Sequence, residues 1–306
     1  MSKINEKLNK TMEKISSSKI LMFFDQLFFR IQNNSVLPVG GQLAYFLVLS
    51  VFPFIMVFLN IISKTSFVDK DVIYSAIYYL PVEVQNLILG FVEEVVTSSS
   101  QGLLSFAIIL AIWSASSGIR AVMRGINNAY GKKETRSFLS LAIISVLFTI
   151  AILVLLIIVF ATLVFGELIG QVIFKELGLD HLFASLWSKF RLVIPVFFMI
   201  FTFALLYKVS PSSKNKIKFK STLPGAIFTT LGWIVISILF SYYVNNFANY
   251  TLTYGSLVGI IILLIWLYIS SVIILIGGEI NATLQYFNES GYEINENMSL
   301  IYSLIK

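Results

Sequence analysis

Apolar residues in this chain come in long continuous runs, and polar residues gather in the gaps between them. Residues 221–278 contain no Asp, Glu, Lys, Arg or His over 58 positions. A hydrocarbon layer about 30 Å thick is crossed by roughly 20 helical residues, so this run holds two passes. Four further runs are single passes. The pattern predicts six spans: residues 41–62, 103–119, 139–165, 192–207, 224–244 and 256–276. The polar stretch 245–250 is expected to turn the chain between the last two. Unbroken apolar runs favour helices, because barrel strands alternate over about ten residues.

Two segments have interfacial character. Residues 19–30 combine Ile20, Leu21, Phe24, Leu27 and Phe28 with few polar positions. They are predicted to lie along the inner leaflet before the chain turns into the membrane at residues 38–41. Residues 82–97 place Val84, Leu87, Ile88, Phe91 and Val95 at helical spacing, which predicts an amphipathic helix capping the bundle from outside. The expected fold class is therefore all-α integral membrane protein, with six transmembrane helices and amphipathic helices at both interfaces. Residues 1–36 form a cytoplasmic tail and interfacial helix, 37–284 the membrane domain, and 285–306 a cytoplasmic tail.

Charge adds the direction. The segment before the first span carries six Lys or Arg, the loop after the second five, and the loop after the fourth five. The alternate loops hold two, three and none, which makes sixteen against five. The positive-inside rule then places both termini in the cytoplasm. The chain is 57% hydrophobic and 12% charged, against about 25% charged in soluble domains. Its basic residues flank apolar runs, so the expected partners are membrane lipids, including anionic headgroups of the inner leaflet, and not nucleic acid. A second copy of the chain, or an envelope protein, is a further expected partner. The first 18 residues are polar, and no cleavable signal peptide is expected.

Ionisable groups at membrane depth are costly and point to function. Glu279 follows Gly277-Gly278 at the inner end of the sixth span, and Arg120 and Arg124 lie one turn apart at the inner end of the second. All three face the same leaflet, so an ion pair between them is geometrically possible; the plainer reading has Glu279 reach headgroup water or tie two helices together. Ser114, Ser116 and Ser117 follow Trp113, and their small hydroxyls suit close helix packing. Tyr254, Gly255 and Gly259 open the sixth span, the glycines forming a small-residue face. Pro53 and Pro195 each lie within a span and free a backbone carbonyl. Their neighbourhoods are loosely alike, as an inverted repeat with broken helices would make them.

Several of these clusters, taken in order, carry a family resemblance. Leu43-Ala44-Tyr45-Phe46 with Leu49-Ser50-Val51-Phe52-Pro53 is the first. Trp113-Ser114-Ala115-Ser116-Ser117-Gly118 follows, with Asn127, Tyr130 and Gly131. Next come Tyr207, Pro211, Pro224-Gly225-Ala226 and Tyr254-Gly255-Ser256-Leu257. Trp266-Leu267-Tyr268 and Gly277-Gly278-Glu279-Ile280-Asn281-Ala282 complete the set. Together they resemble the YihY/virulence factor BrkB family of bacterial inner-membrane proteins, over roughly residues 37–284. The resemblance implies six helical spans in the cytoplasmic membrane. Some members of that family were labelled ribonuclease BN, and others were linked to serum resistance or envelope phenotypes.

The ribonuclease label fails on the residues. A zinc-dependent nuclease needs clustered His and Asp to bind metal and activate water, and this chain has His181 as its single histidine and no cysteine. An intramembrane serine enzyme would need a base beside its nucleophile, and the spans carry none. No cofactor, metal or catalytic residue is expected. The favoured reading is a transporter or lipid-handling protein of unknown substrate; the alternative is a non-catalytic scaffold in envelope assembly.

Overall fold

The computed structural model describes residues 18–63, 101–154, 193–212, 217–247 and 258–291, together with positions 82, 85, 86, 89, 90, 299 and 300. Among these, all regular structure is helical. The helices are α1 Lys19–Asn33, α2 Val36–Ser63, α3 Gln101–Ala129, α4 Phe138–Val154, α5 Val193–Val209, α6 Phe219–Phe247 and α7 Val258–Ser290. The described part of each of the six apolar runs falls on one of α2 to α7; residues 155–165, 192 and 256–257 of those runs lie outside the described residues. Three helices are long and apolar enough to cross a membrane: Ser105–Ala129, Phe219–Val244 and Val258–Ser290. The pair Lys19–Asn33 and Val36–Val51 is bent by 57° at its break and would make a fourth only if counted as one broken span. α4 and α5 are shorter apolar helices over their described lengths.

α7 is the centre of the bundle. It packs against α1, α2, α3 and α6; α2 also packs along α3, and α5 against α6. One core joins Leu43, Val122, Ile126, Ala204, Leu206, Tyr207 and Ala226. A second joins Ala44, Val244, Val258, Ile262, Leu263 and Leu267. Polarity is distributed as hydrocarbon requires. Phe138 is 83% exposed, and Leu139, Ile143 and Leu147 continue its outward face down α4. On α6, Leu231, Val235, Ile238 and Leu239 are exposed while Thr229 and Thr230 are fully buried. Apolar side chains outside and hydroxyls between helices are the arrangement of a protein dissolved in lipid.

The helices outrun the apolar spans. α3 continues ten residues beyond Ile119, so Arg120 and Arg124 are mid-helix positions. α7 continues through Gly277-Gly278 to Ser290 and is about 50 Å long at 1.5 Å per residue. α6 continues to Phe247, so Asn245 and Asn246 do not turn the chain; Asn246 Nδ2 donates to Tyr242 O at 2.8 Å. The turn expected at residues 38–41 is instead at Asn34-Ser35, where Ser35 adopts φ 53°. Pro38 sits within the first turn of α2, where a missing N–H leaves no bond unmade. Pro53 lies inside α2 without ending it. Pro195 is the third residue of α5. Of the outer segment 82–97, positions 82, 85, 86, 89 and 90 are helical; the others lie outside the described residues.

Helix crossings on the α5–α6–α7 side are set by small residues. A Cβ at Gly225 would collide with Gly277 O and the Asn281 carboxamide, and one at Gly277 with Thr229 Oγ1 and the Tyr207 hydroxyl. Tyr207, fully buried, donates to Ile274 O at 2.6 Å and sits 2.6 Å from Thr229 Oγ1. Its single hydrogen goes to the carbonyl, so Thr229 is the donor in the second bond. Pro224 interrupts the backbone ladder of α6, and Asn281 of α7 bonds the backbone on either side of it. Asn281 Oδ1 accepts from Gly225 N at 2.7 Å, and Asn281 Nδ2 donates to Thr222 O at 3.1 Å.

Candidate functional site

The polar groups of the fold concentrate at one end of the bundle. α1 exposes Ile20, Leu21, Phe24 and Phe28 and buries Met22, Gln26, Leu27 and Arg30. Arg30 Nη1 donates to Ala129 O at 2.7 Å, which caps the last turn of α3. Its guanidinium carbon lies 5.4 Å from the ring centre of Tyr286 on α7. Glu279 is 1% exposed. Its Oε1 accepts from Asn34 Nδ2 at 2.8 Å, and Arg30 is the cation that acts on it electrostatically. Tyr130 stands beside both; burial first, and then the Glu279 charge, push its phenol above the ordinary range.

This seam is incompletely satisfied. Gln26 Nε2, Arg30 Nε, Glu279 Oε2 and Thr283 Oγ1 are buried without a hydrogen-bond partner among the described residues. Gln26 and Arg30 are one turn apart on α1, and Glu279 and Thr283 are one turn apart on α7. Buried polar groups in native proteins are nearly always paired. Thr230 Oγ1 on α6 and Ser270 Oγ on α7 are also buried without a partner among the described residues, so four of six such atoms gather in this seam.

Beside the seam is a clasp. Glu134 accepts from Arg136 Nε and Nη2, each at 2.7 Å, and from Asn127 Nδ2 at 2.8 Å. Arg136 also donates to Val209 O at 3.1 Å and Ser210 O at 2.7 Å, capping the end of α5. Ser212 N donates to Asn127 Oδ1 at 2.6 Å. The Arg136 hydrogen bonds hold the Glu134 carboxyl well below its ordinary range, at about 2. Through Arg30 and this clasp, the described C-terminal ends of α1, α3 and α5 are tied together at the same end of the bundle.

A cleft of about 340 Å³ opens there, between the α1–α2 elbow and the end of α3. Asn33, Asn34, Ser35, Asn128, Lys132 and Lys133 line it. Gly131 makes the turn that brings the lysines round. It adopts φ +60°, its N–H bonds Asn128 O at 2.9 Å, and Lys132 N bonds Asn127 O at 2.8 Å. This is a Schellman cap, which requires the left-handed residue that glycine supplies. Asn34 both lines the cleft and holds Glu279, so the two are one side chain apart.

Glu279, Arg120 and Arg124 are not brought together as expected. α3 turns Gly125 and Ile126 toward α7, against Leu275 and Gly278. Arg120 points elsewhere: it donates to Ser117 Oγ at 2.6 Å, and to Ser116 Oγ and Ser145 Oγ of α4 at 3.2 Å. Arg124 reaches Gln42 Oε1 at 3.4 Å on the surface. Glu279 has Arg30 and Asn34 instead. Ser114 bonds Leu110 O, and Ser116 and Ser117 bond Trp113 O, so two of the three serines serve both the helix backbone and the Arg120 guanidinium. Gly259 is buried near the start of α7; Tyr254 and Gly255 lie outside the described residues. Arg30 and Arg136 entered the sequence reading only as topology charges, and Asn34 not at all. One sign of Arg30 is in the sequence: with Gln26 it makes a polar i, i+4 pair on the amphipathic helix α1.

Comparison with known proteins gives the same picture of relatedness. The profile of the family described as virulence factor BrkB matches residues 27–299. A Bacillus subtilis (strain 168) protein named ribonuclease-like protein YfkH is 38% identical over 264 residues, covering 86% of this chain and 95% of that protein. A UPF0761 membrane protein of Haemophilus influenzae (strain 86-028NP) is 28% identical, over 85% of this chain and 94% of its own. Another, of Psychromonas ingrahamii, is 28% identical over 90% and 92%. No solved structure matches the chain.

Proposed function

The chain belongs to the virulence factor BrkB family, and from that premise we propose that it is a six-span protein of the bacterial cytoplasmic membrane that moves or handles a lipid or anionic solute. In this reading both termini are cytoplasmic and the basic end of the bundle faces the cytoplasm. The observation that carries it is the unsatisfied seam behind the cleft: Arg30 and Glu279 buried at the charged end of an otherwise charge-poor bundle, with the half-buried Asn34 bonded to Glu279. A purely structural bundle gains nothing from buried ionic groups, which cost more than well-packed apolar residues. Sites of passage use them.

The word ribonuclease in the name of the Bacillus relative does not transfer to this chain. Hydrolysis of RNA needs an activated water. The clustered acid here is held by Arg136, and the single histidine, His181, lies outside the described residues. The test is reconstitution of the full chain into vesicles with fluorescent phospholipids and anionic solutes. Wild-type protein should move at least one of them, and Glu279→Gln and Arg30→Gln should slow that movement about tenfold or more. No movement across a broad panel, with stable co-purification of one envelope protein, would sink transport and favour a scaffold.

A further inference from the structure

The cleft at the α1–α2 elbow has a chemical character of its own. Its polar lining consists of the carboxamides of Asn33, Asn34 and Asn128, the Ser35 hydroxyl and the ammonium groups of Lys132 and Lys133, with no carboxylate. Both lysines are exposed, and neither forms an ion pair among the described residues. Two cations beside neutral donors form a surface for an anion with several acceptor oxygens. Phosphate has that shape and charge.

The depth of the cleft is set by α1. This helix hides Gln26 and Arg30 and exposes Ile20 at 68%, Phe24 at 48% and Phe28 at 53%. Such a face is solvated by acyl chains, so the helix lies at the boundary of hydrocarbon and headgroups. The elbow at its end is then at headgroup level, where lipid phosphates are the most concentrated anions.

We propose that the elbow cleft binds the phosphate of an anionic glycerophospholipid headgroup, with Lys132 and Lys133 as its cations and the Asn carboxamides as its neutral donors. The inference rests on the reading of this chain as a lipid-handling membrane protein, and it names the headgroup class. Asn34 gives the occupant a path of consequence, because the same side chain holds the buried Glu279 carboxylate.

The test uses the full chain, purified in detergent and exchanged into nanodiscs of phosphatidylcholine with phosphatidylglycerol. Retained lipid is counted by native mass spectrometry. The double substitution Lys132→Gln/Lys133→Gln should lower retained phosphatidylglycerol about tenfold or more. The control Lys218→Gln/Lys220→Gln removes equal charge from exposed positions at the start of α6 and should change it less than about twofold. Equal loss in both pairs means diffuse attraction and overturns the site, as does no loss in either. Inorganic phosphate at millimolar concentration is the second arm. Failure to displace the lipid supports a headgroup site, whereas full displacement shows a free-phosphate site and overturns the lipid assignment. Transport in vesicles separates this proposal from the broader one. Lipid movement with no cleft effect refutes the cleft alone; cleft binding with no movement refutes transport alone.

Discussion

Glu279 has one oxygen bonded to Asn34 and the other without a donor among the described residues. Its environment favours Arg30 over the arginines of α3, and this can be tested by charge exchange. Glu279→Arg places two cations in one buried seam and should lower detergent stability by on the order of 3 kcal/mol, read as an earlier thermal unfolding midpoint. Adding Arg30→Glu should recover part of that loss, and adding Arg120→Glu should recover none. Recovery by Arg120→Glu would restore the sequence-based pairing. Glu134 supplies a pH test with a definite sign. Its carboxyl, held at about 2 chiefly by Arg136, has an ordinary value of 4.5. A depressed carboxyl contributes its stability above the ordinary value and loses it as pH falls toward the folded one. The stability gap between wild type and Glu134→Gln should therefore be constant above about pH 5 and close between about pH 4.5 and 2. A gap that widens on acidification would show that another group dominates.

At the scale of elements, the crossing of α5, α6 and α7 depends on glycine where backbone meets backbone. Gly277→Ala must push against Thr229, Tyr207 and the Gly225 carbonyl at once, and overpacking of this kind costs roughly 1–3 kcal/mol. Gly232→Ala adds a methyl at ordinary contact with Ile273 Cγ2, 3.4 Å away, and should be neutral. The pair of midpoints checks whether close approach, and not glycine flexibility, sets the crossing. Asn281→Ala should cost about 2 kcal/mol by stripping two backbone partners from α6 near Pro224. Asn281→Asp keeps the acceptor for Gly225 N but sets a buried carboxylate oxygen against Thr222 O and should cost more. The helices run past the charged and glycine-rich positions that bounded the spans in sequence. Arg120 is served by serines on its own helix and on α4, and Gly277-Gly278 is held by packing, so neither needs to end a helix.

At the scale of the whole molecule, the prediction concerns sidedness. The chain has no cysteine, so single cysteines introduced at Lys133 and Lys218 report without interference. Both should react with an impermeant thiol reagent from the cytoplasmic side only; labelling from opposite sides would break the topology. Sequence alone determined that the chain is helical and dissolved in lipid, because continuous apolar length and the absence of charge are local properties that hydrocarbon demands of every span. It also located the apolar run on each described helix. Only the tertiary structure decided which polar groups meet. Asn34 and Glu279 are far apart in sequence, and their hydrogen bond depends on an elbow at Asn34-Ser35 and on the face that α7 turns toward α1. Helix period tells which residues share a face. It does not tell which neighbour that face will touch, because in lipid the choice is made by small-residue fit and buried hydrogen bonds across helices, and these exist only once the bundle is packed.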